Sequence, residues 1–276
     1  MLSRLREENP ILIEDFSQTS SEFLHLRDLV SYQFNKENLA NLEREFSLTD
    51  FKSYLASMKG SKAPGRDGMS ARFFEHFWDI VGADLGNMSL NFLNSSHFLR
   101  KFNFTLITLV PKIERPINMT QFRPFVLYNT VTEVISKMME RRLKFVLPSV
   151  ISESQSVVVP NRLIIDNVLL GYETHHFIKH KKMGNLGFMF IKLDMLKAYD
   201  RIEWSFLRPM LAQLHFSDKW IRLIMEYVES VTYSVMINGE QAGFLKPRRG
   251  LRQGHSLSPY LFIICIEGFI SILKAT

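Results

Sequence analysis

The fold of this chain is limited most by the way a few β-rich runs are set among helical ones. Residues Phe104 to Val110 read Phe-Thr-Leu-Ile-Thr-Leu-Val and stop at Pro111, as a strand does. Phe188 to Leu193 is a second apolar run of strand length, and Val231 to Ile237 alternates as a third. Asn238-Gly239 is a strong hairpin signal, so Gly243 to Lys246 is expected to return beside that third strand. Strands and helices therefore interleave irregularly without an internal repeat. That pattern predicts an α+β (mixed α/β) fold.

Helical spacing fills most of the remainder. Phe23, Leu26, Leu29 and Val30 recur on one face, and Leu39, Leu42 and Phe46 do so again. A helix through Phe51, Leu55 and Met58 is expected to start at Thr49 or Asp50 as N-cap. The break Gly60 to Gly68 gives way to one helix carrying Phe73, Phe74, Phe77 and Trp78. Further helices are predicted over Thr130 to Leu147, Ile164 to Ile178, Trp204 to Leu214 and Trp220 to Val228. His180 to Gly187 is a basic, glycine-punctuated link. Ser258-Pro259 supplies an N-cap and an N1 proline for an almost wholly apolar closing helix.

A chain of 276 residues with 46% hydrophobic content can bury a sizeable core. Its formal charge of +6 favours a polyanionic partner without naming one. The single cysteine, Cys265, lies in an apolar run, which excludes an internal disulfide and points to a buried structural thiol. The acidic, proline-containing N-terminus is unlike a signal peptide, and no run approaches the roughly 20 apolar residues of a membrane span. A soluble intracellular protein with no membrane partner is expected, nuclear or cytoplasmic.

Chemistry concentrates at a few positions. Asp194 closes the second β-rich run and Tyr199 falls on the turn after it. A carboxylate on a strand end is the pattern of metal-dependent phosphoryl transfer, because Mg²⁺ is held by oxygen ligands on rigid backbone. The alternative is an ordinary acid capping the next helix. Asp200 and Glu203 are expected one turn apart on a helix, facing solvent or pairing with Lys197 or Arg201. Arg249-Gly250-Leu251-Arg252-Gln253-Gly254 combines glycines that admit close backbone approach with forked donors for phosphate, or forms a surface turn before a buried helix. Lys112 and Arg123 sit beside rigid prolines and either neutralise a triphosphate or stay solvated. His76, His97, His175, His176 and His180 suggest no zinc site.

Taken in order, the segments resemble the reverse transcriptase domain of plant LINE-type (non-LTR) retrotransposons, from about Phe51 onward. The matching segments are Lys-Ala-Pro-Gly-Arg-Asp-Gly at 62–68, Thr-Leu-Ile-Thr-Leu-Val-Pro-Lys at 105–112 and Gln-Phe-Arg-Pro at 121–124. Ile-Ser-Glu-Ser-Gln-Ser follows at 151–156, then Leu-Ile-Ile-Asp-Asn-Val-Leu-Leu at 163–170 and the Asp194 segment. Ile-Asn-Gly-Glu at 237–240, Arg-Gly-Leu-Arg-Gln-Gly at 249–254 and Ser-Pro-Tyr-Leu-Phe at 258–262 complete the series.

The resemblance implies a right-hand polymerase that copies an RNA template from a DNA primer, using dNTPs and Mg²⁺ (magnesium). It implies a helical lead over 1–50, fingers over 51–186 and a partial palm over 187–276, with the thumb absent. Asp194 falls on the first catalytic aspartate, and the Met195 carbonyl is implied on the metal beside it. Tyr199 falls on the aromatic position that excludes a ribose 2′-OH. Lys112 and Arg123 fall on positions that grip the triphosphate, and Gln253 with Gly254 on the loop lining nucleotide and template.

The chain also departs from the family pattern. Leu196 stands for serine, Asn161 for glycine, His255-Ser256 for Asp-Pro and Arg66 for proline. No Tyr-Ala-Asp-Asp motif occurs in the 276 residues. The expectation is a truncated, inactive reverse transcriptase, with a non-catalytic nucleic-acid binder or a functionless relic as alternatives. An RNA-templated RNA polymerase fits less well, because Tyr199 suits deoxyribonucleotide selection.

Overall fold

The computed structural model describes residues 34, 36–58, 60, 63–95, 102–181 and 187–275. The first helical pattern, Phe23 to Val30, lies outside the described residues, as does most of the link between His180 and Gly187.

Among the described residues, four helices come first: α1 (Lys36–Glu43), α2 (Leu48–Ala56), α3 (Ala71–His76) and α4 (Trp78–Ser95). Then follow β1 (Phe104–Pro111), β2 (Phe122–Tyr128), α5 (Thr130–Val146), α6 (Ile164–His180), α7 (Trp204–Gln213) and α8 (Asp218–Glu229). β3 (Thr232–Ile237), β4 (Glu240–Leu245) and α9 (Ser258–Ala275) complete the order. The fold is mixed α/β. One sheet runs β2-β1-β3-β4, with β1 parallel to β3 and antiparallel to β2, and β3 antiparallel to β4.

The sheet grows out of the helical core. Phe104 and Leu106 are buried at the root of β1, whereas Val110 and Pro111 at its far end are exposed. Asn103 anchors that root, donating from Nδ2 to the Tyr227 carbonyl (2.8 Å) and to Ser230 Oγ (2.7 Å). The β3–β4 turn forms where Asn238-Gly239 predicts it, with φ of 51° and 87°, the double positive φ of a type I′ hairpin.

The core lies among α5, α7, α8 and α9. On α5 the apolar Val134, Ile135, Met138, Met139 and Leu143 are buried while Arg141 and Lys144 face solvent. Arg142, on the same helix, reaches the α1–α2 connection instead. It donates to the Leu42 and Glu45 carbonyls (3.2 and 2.8 Å) and to that of Arg44, and its guanidinium lies over the Phe46 ring. Trp220 of α8, fully buried, donates from Nε1 to the Leu42 carbonyl (2.9 Å). Cys265 is buried and free, and burial pushes its thiol pKa up, as a structural thiol requires.

Several local expectations are corrected. The cap of α2 is Ser47, not Thr49 or Asp50: Ser47 Oγ accepts from the Asp50 N–H, and the Asp50 carboxylate accepts from the Ser47 N–H, a capping box. Phe77 interrupts the helix through Phe73 to Trp78 with ψ of 22°, so two helices form. Ser258 lies inside the first turn of α9 rather than capping it, with its N–H on the His255 carbonyl. Phe188 to Leu193 is not a strand, because neither β2 nor β4 at the sheet edges pairs with it; the segment is exposed. β2 was not foreseen, since Pro124 argues against a strand. It is tolerated because β2 is an edge strand, where a missing N–H can face outward.

Candidate nucleotide and template site

The cavity nearest the expected site residues holds about 520 Å³. β2 supplies Arg123 and Pro124 through Tyr128, the break before α3 supplies Ala63, and α5 supplies Thr130 and Glu133. Gln253 and Gly254 close it from the other side. The break can come this close because of Gly65, where a Cβ would stand 2.5 Å from the Asn129 nitrogen and 2.6 Å from the Tyr128 carbonyl carbon. Thr130 Oγ1 donates to the Met69 carbonyl (2.8 Å) and fixes the same junction.

The Gln253–Gly254 turn is itself held by the turn that carries Tyr199. The Gly250 N–H donates to the Ile202 carbonyl (2.7 Å) and the Leu251 N–H to the Tyr199 carbonyl (2.8 Å). Trp204 Nε1 donates to the Gly250 carbonyl (2.9 Å), and Arg249 pairs with Glu203 (3.1 Å). Gly250 has φ of +91°, a conformation that favours glycine, and a Cβ there would press on the Asp200 carbonyl at 3.2 Å. Asp200 accepts from Gln253 Nε2 (3.4 Å). Asp200 lies in a short 3₁₀ turn (Ala198–Arg201) and Glu203 immediately before α7; their partners are Gln253 and Arg249, not Lys197 or Arg201.

Tyr199 is half-buried and its ring stacks on Phe262 of α9, 5.1 Å between centroids and 19° from parallel. Burial raises its phenol pKa. Tyr128 is raised further, by burial and then by the charge of Glu133. Tyr128, on the cavity wall, is thus kept as a neutral hydrogen-bonding group.

Arg123, Gln253 and Gly254 come together in this cavity. Tyr199 is joined to it through the Leu251 and Gln253 contacts. Lys112 stands at the end of β1, where its N–H donates to the Gln121 carbonyl (2.8 Å) and its Nζ to the Thr120 carbonyl (2.9 Å). It does not line the cavity. Asp194 and Met195 lie in the exposed segment before the Tyr199 turn. No group of three His, Cys, Asp or Glu side chains able to hold a metal occurs among the described residues. One exposed carboxylate beside a carbonyl is therefore a poor fit to a Mg²⁺ centre.

Comparison with known families decides the assignment. Residues 110–276 match the family described as reverse transcriptase (RNA-dependent DNA polymerase). The chain belongs to this family. Three relatives of the reverse transcriptase chain illustrate its range. A transposon TX1 uncharacterized 149 kDa protein of Xenopus laevis is 31% identical over 233 residues, 84% of this chain and 18% of that protein. A retrovirus-related Pol polyprotein from the type-1 retrotransposable element R2 of Popillia japonica is 22% identical over 228 residues, 80% of this chain and 30% of that protein. An uncharacterized mitochondrial protein of Arabidopsis thaliana is 62% identical over 32 residues, 12% of this chain and 26% of that protein. The reverse transcriptase chain therefore spans less than a third of the length of each.

Most departures from the family pattern have a local reason. Asn161 has φ of +63°, a conformation that asparagine tolerates better than other residues with a Cβ. Arg66 places its guanidinium over the Phe104 ring. Ser256 Oγ lies 2.7 Å from Ser136 Oγ, and His255 is buried against Tyr128 and Tyr227. Leu196 is exposed, and nothing in the structure explains it.

Tyr128, Glu133 and His255 were missed as site residues. No local pattern signals that Tyr128 meets a residue 126 positions away. Among the described residues, no helix is long and apolar enough to cross a membrane.

Proposed function

We propose that the chain is a reverse transcriptase segment from a non-LTR retrotransposon of LINE type, with residues 1–50 as lead, 51–186 as fingers and 187–276 as part of the palm. The names of the TX1 and R2 relatives support the retrotransposon reading, and the short Arabidopsis match supports a plant source. The observation that carries the reading is the docking of the Tyr199 turn on the 249–254 loop, beside a cavity that also contains Arg123.

In this reading the ligands are a dNTP, an RNA template and a DNA primer. Arg123 supplies forked donors to the triphosphate, and Lys112 adds a second cation from the end of β1. The ring of Tyr199, immobilised on Phe262, is a rigid obstacle to a ribose 2′-OH. Gln253 and the Gly254 backbone line the base and template side. Divalent metal ions serve this family, but Asp194 belongs to no group of three potential metal ligands among the described residues, and the 276-residue sequence holds no Asp-Asp pair. The 276-residue chain acting alone is therefore inactive in this reading, because clamping two reacting oxygens needs more than one carboxylate.

Primer extension on an RNA template with Mg²⁺ or Mn²⁺ tests this. The expected result is no extension by the purified chain. Synthesis that disappears in Asp194→Asn would overturn the inactivity. A second reading, a non-catalytic nucleic-acid binder, is favoured by the exposed cations Lys112, Arg115 and Arg123 at one end of the sheet.

A further inference from the structure

A column of three rings stands behind the cavity. At its base Tyr227 of α8 is 2% exposed, and its hydroxyl donates to the Thr132 carbonyl (3.2 Å). His255 Nδ1 lies 2.8 Å from the same oxygen, a hydrogen bond in which the imidazole tautomer sets which group donates. The imidazole, also 2% exposed, meets the Tyr128 ring at 4.0 Å between centroids. At the top, the Tyr128 hydroxyl donates to the Gly254 carbonyl at 2.9 Å, while the Tyr128 side of β2 lines the cavity.

Each level of this column comes from a different element. Tyr227 lies on α8, His255 on the loop before α9, and Tyr128 at the end of β2. Ser256 Oγ also lies 2.7 Å from Ser136 Oγ and the His255 carbonyl accepts from the Ser258 N–H, so the weakly anchored part of the loop is 253–254. Gln253 reaches Asp200 at 3.4 Å, near the limit for a hydrogen bond, and Gly254 has φ of +80° with nothing within 4 Å of where a Cβ would be. A turn this open needs an external brace to keep one geometry. His255 is one of the positions at which this chain departs from the family pattern.

We propose that Tyr128 is a positioning residue for the nucleotide-lining turn: its hydroxyl sets the Gly254 carbonyl, and its ring, backed by His255 and Tyr227, keeps Gln253 facing the cavity. This rests on the reading of the cavity as a nucleotide site. The brace itself does not depend on that reading. The Tyr128–Gly254 hydrogen bond holds a single turn, so its loss is felt first in that turn.

The test compares Tyr128→Phe with the unaltered 276-residue chain and with Tyr260→Phe, whose hydroxyl contacts Glu140 outside the cavity. Two measurements are made: amide hydrogen exchange across 250–257, and dGTP binding followed by tryptophan fluorescence, since Trp204 donates to the same loop. Tyr128→Phe is expected to speed exchange at 253–256 about ten-fold and to weaken dGTP several-fold, with the melting temperature unchanged. Tyr260→Phe changes neither. Unaltered exchange at 253–256 in Tyr128→Phe overturns the brace, whatever dGTP does. Faster exchange in a chain that never binds dGTP keeps the brace and removes the nucleotide reading.

Discussion

Tyr227 shows how a single buried group links packing to pH. Burial pushes its phenol up to about 12 from an ordinary value of 10.0, against the opposing charge of Arg252, whose guanidinium lies over the ring. The folded chain therefore holds that proton more tightly than the unfolded chain. Its contribution to stability is complete below pH 10 and is lost as pH rises toward 12. Tyr128, Tyr233 and Tyr260 are raised in the same direction, so the alkaline limb is a sum of several phenols. Urea midpoints measured from pH 8 to 11 should fall steeply at the alkaline end. Tyr227→Phe should lower the midpoint at pH 8 by the loss of about 1 kcal/mol of hydrogen bonding, while making the alkaline fall shallower. An equally steep fall in the variant would show that Tyr227 is not one of the groups responsible.

Among the elements, those fixed by local chemistry were legible in the sequence and those fixed by distant partners were not. α2 is a case of the first kind that was still misread by two or three residues, because Ser47, Thr49 and Asp50 are all good caps and only the reciprocal Ser47–Asp50 pair distinguishes them. Ser47→Ala removes the acceptor for the Asp50 N–H and half of the capping box, and should cost about 1 kcal/mol. The urea midpoint would move with no change in its slope; an unmoved midpoint would mean that Asp50 or water caps the helix alone. The β3–β4 hairpin was read correctly because Asn238-Gly239 encodes its own positive φ values. β2 was not, since its strand character depends on β1 lying alongside. Phe188 to Leu193 fails in the opposite direction: it has the composition of a strand, but a strand exists only where an edge receives it. The site divides the same way. Arg123, Gln253, Gly254 and Tyr199 carry recognisable motifs, whereas Tyr128 and His255 gain their place from contacts 126 and 28 residues apart.

At the level of the whole molecule, the exposed surface has two characters. Ile164, Val168, Leu169 and Phe177 of α6 are exposed, as are Phe188, Ile191 and Leu193 of the following segment. Although α6 also carries Asp166, Glu173 and Lys179, so many exposed apolar side chains in one stretch set this region apart from the rest of the surface. The β1–β2 end of the sheet is instead basic, where Lys112, Arg115 and Arg123 are exposed within a chain of net charge +6. If that end meets a template backbone, binding is driven by counterion release, and each phosphate neutralised on a single strand adds about 0.7 to the slope of log affinity against log salt. Fluorescence anisotropy of a labelled single-stranded RNA, titrated at several salt concentrations, measures that slope. Lys112→Gln combined with Arg123→Gln should reduce it by about 1 to 2. Asp194→Asn should leave it unchanged, because Asp194 lies in the exposed segment outside this basic end. The double variant separates a specific basic surface from diffuse attraction. An unaltered slope in the double variant would place the template elsewhere on the molecule. A flat plot for the unaltered chain would remove electrostatic template binding altogether, leaving the cavity to be judged by dGTP alone.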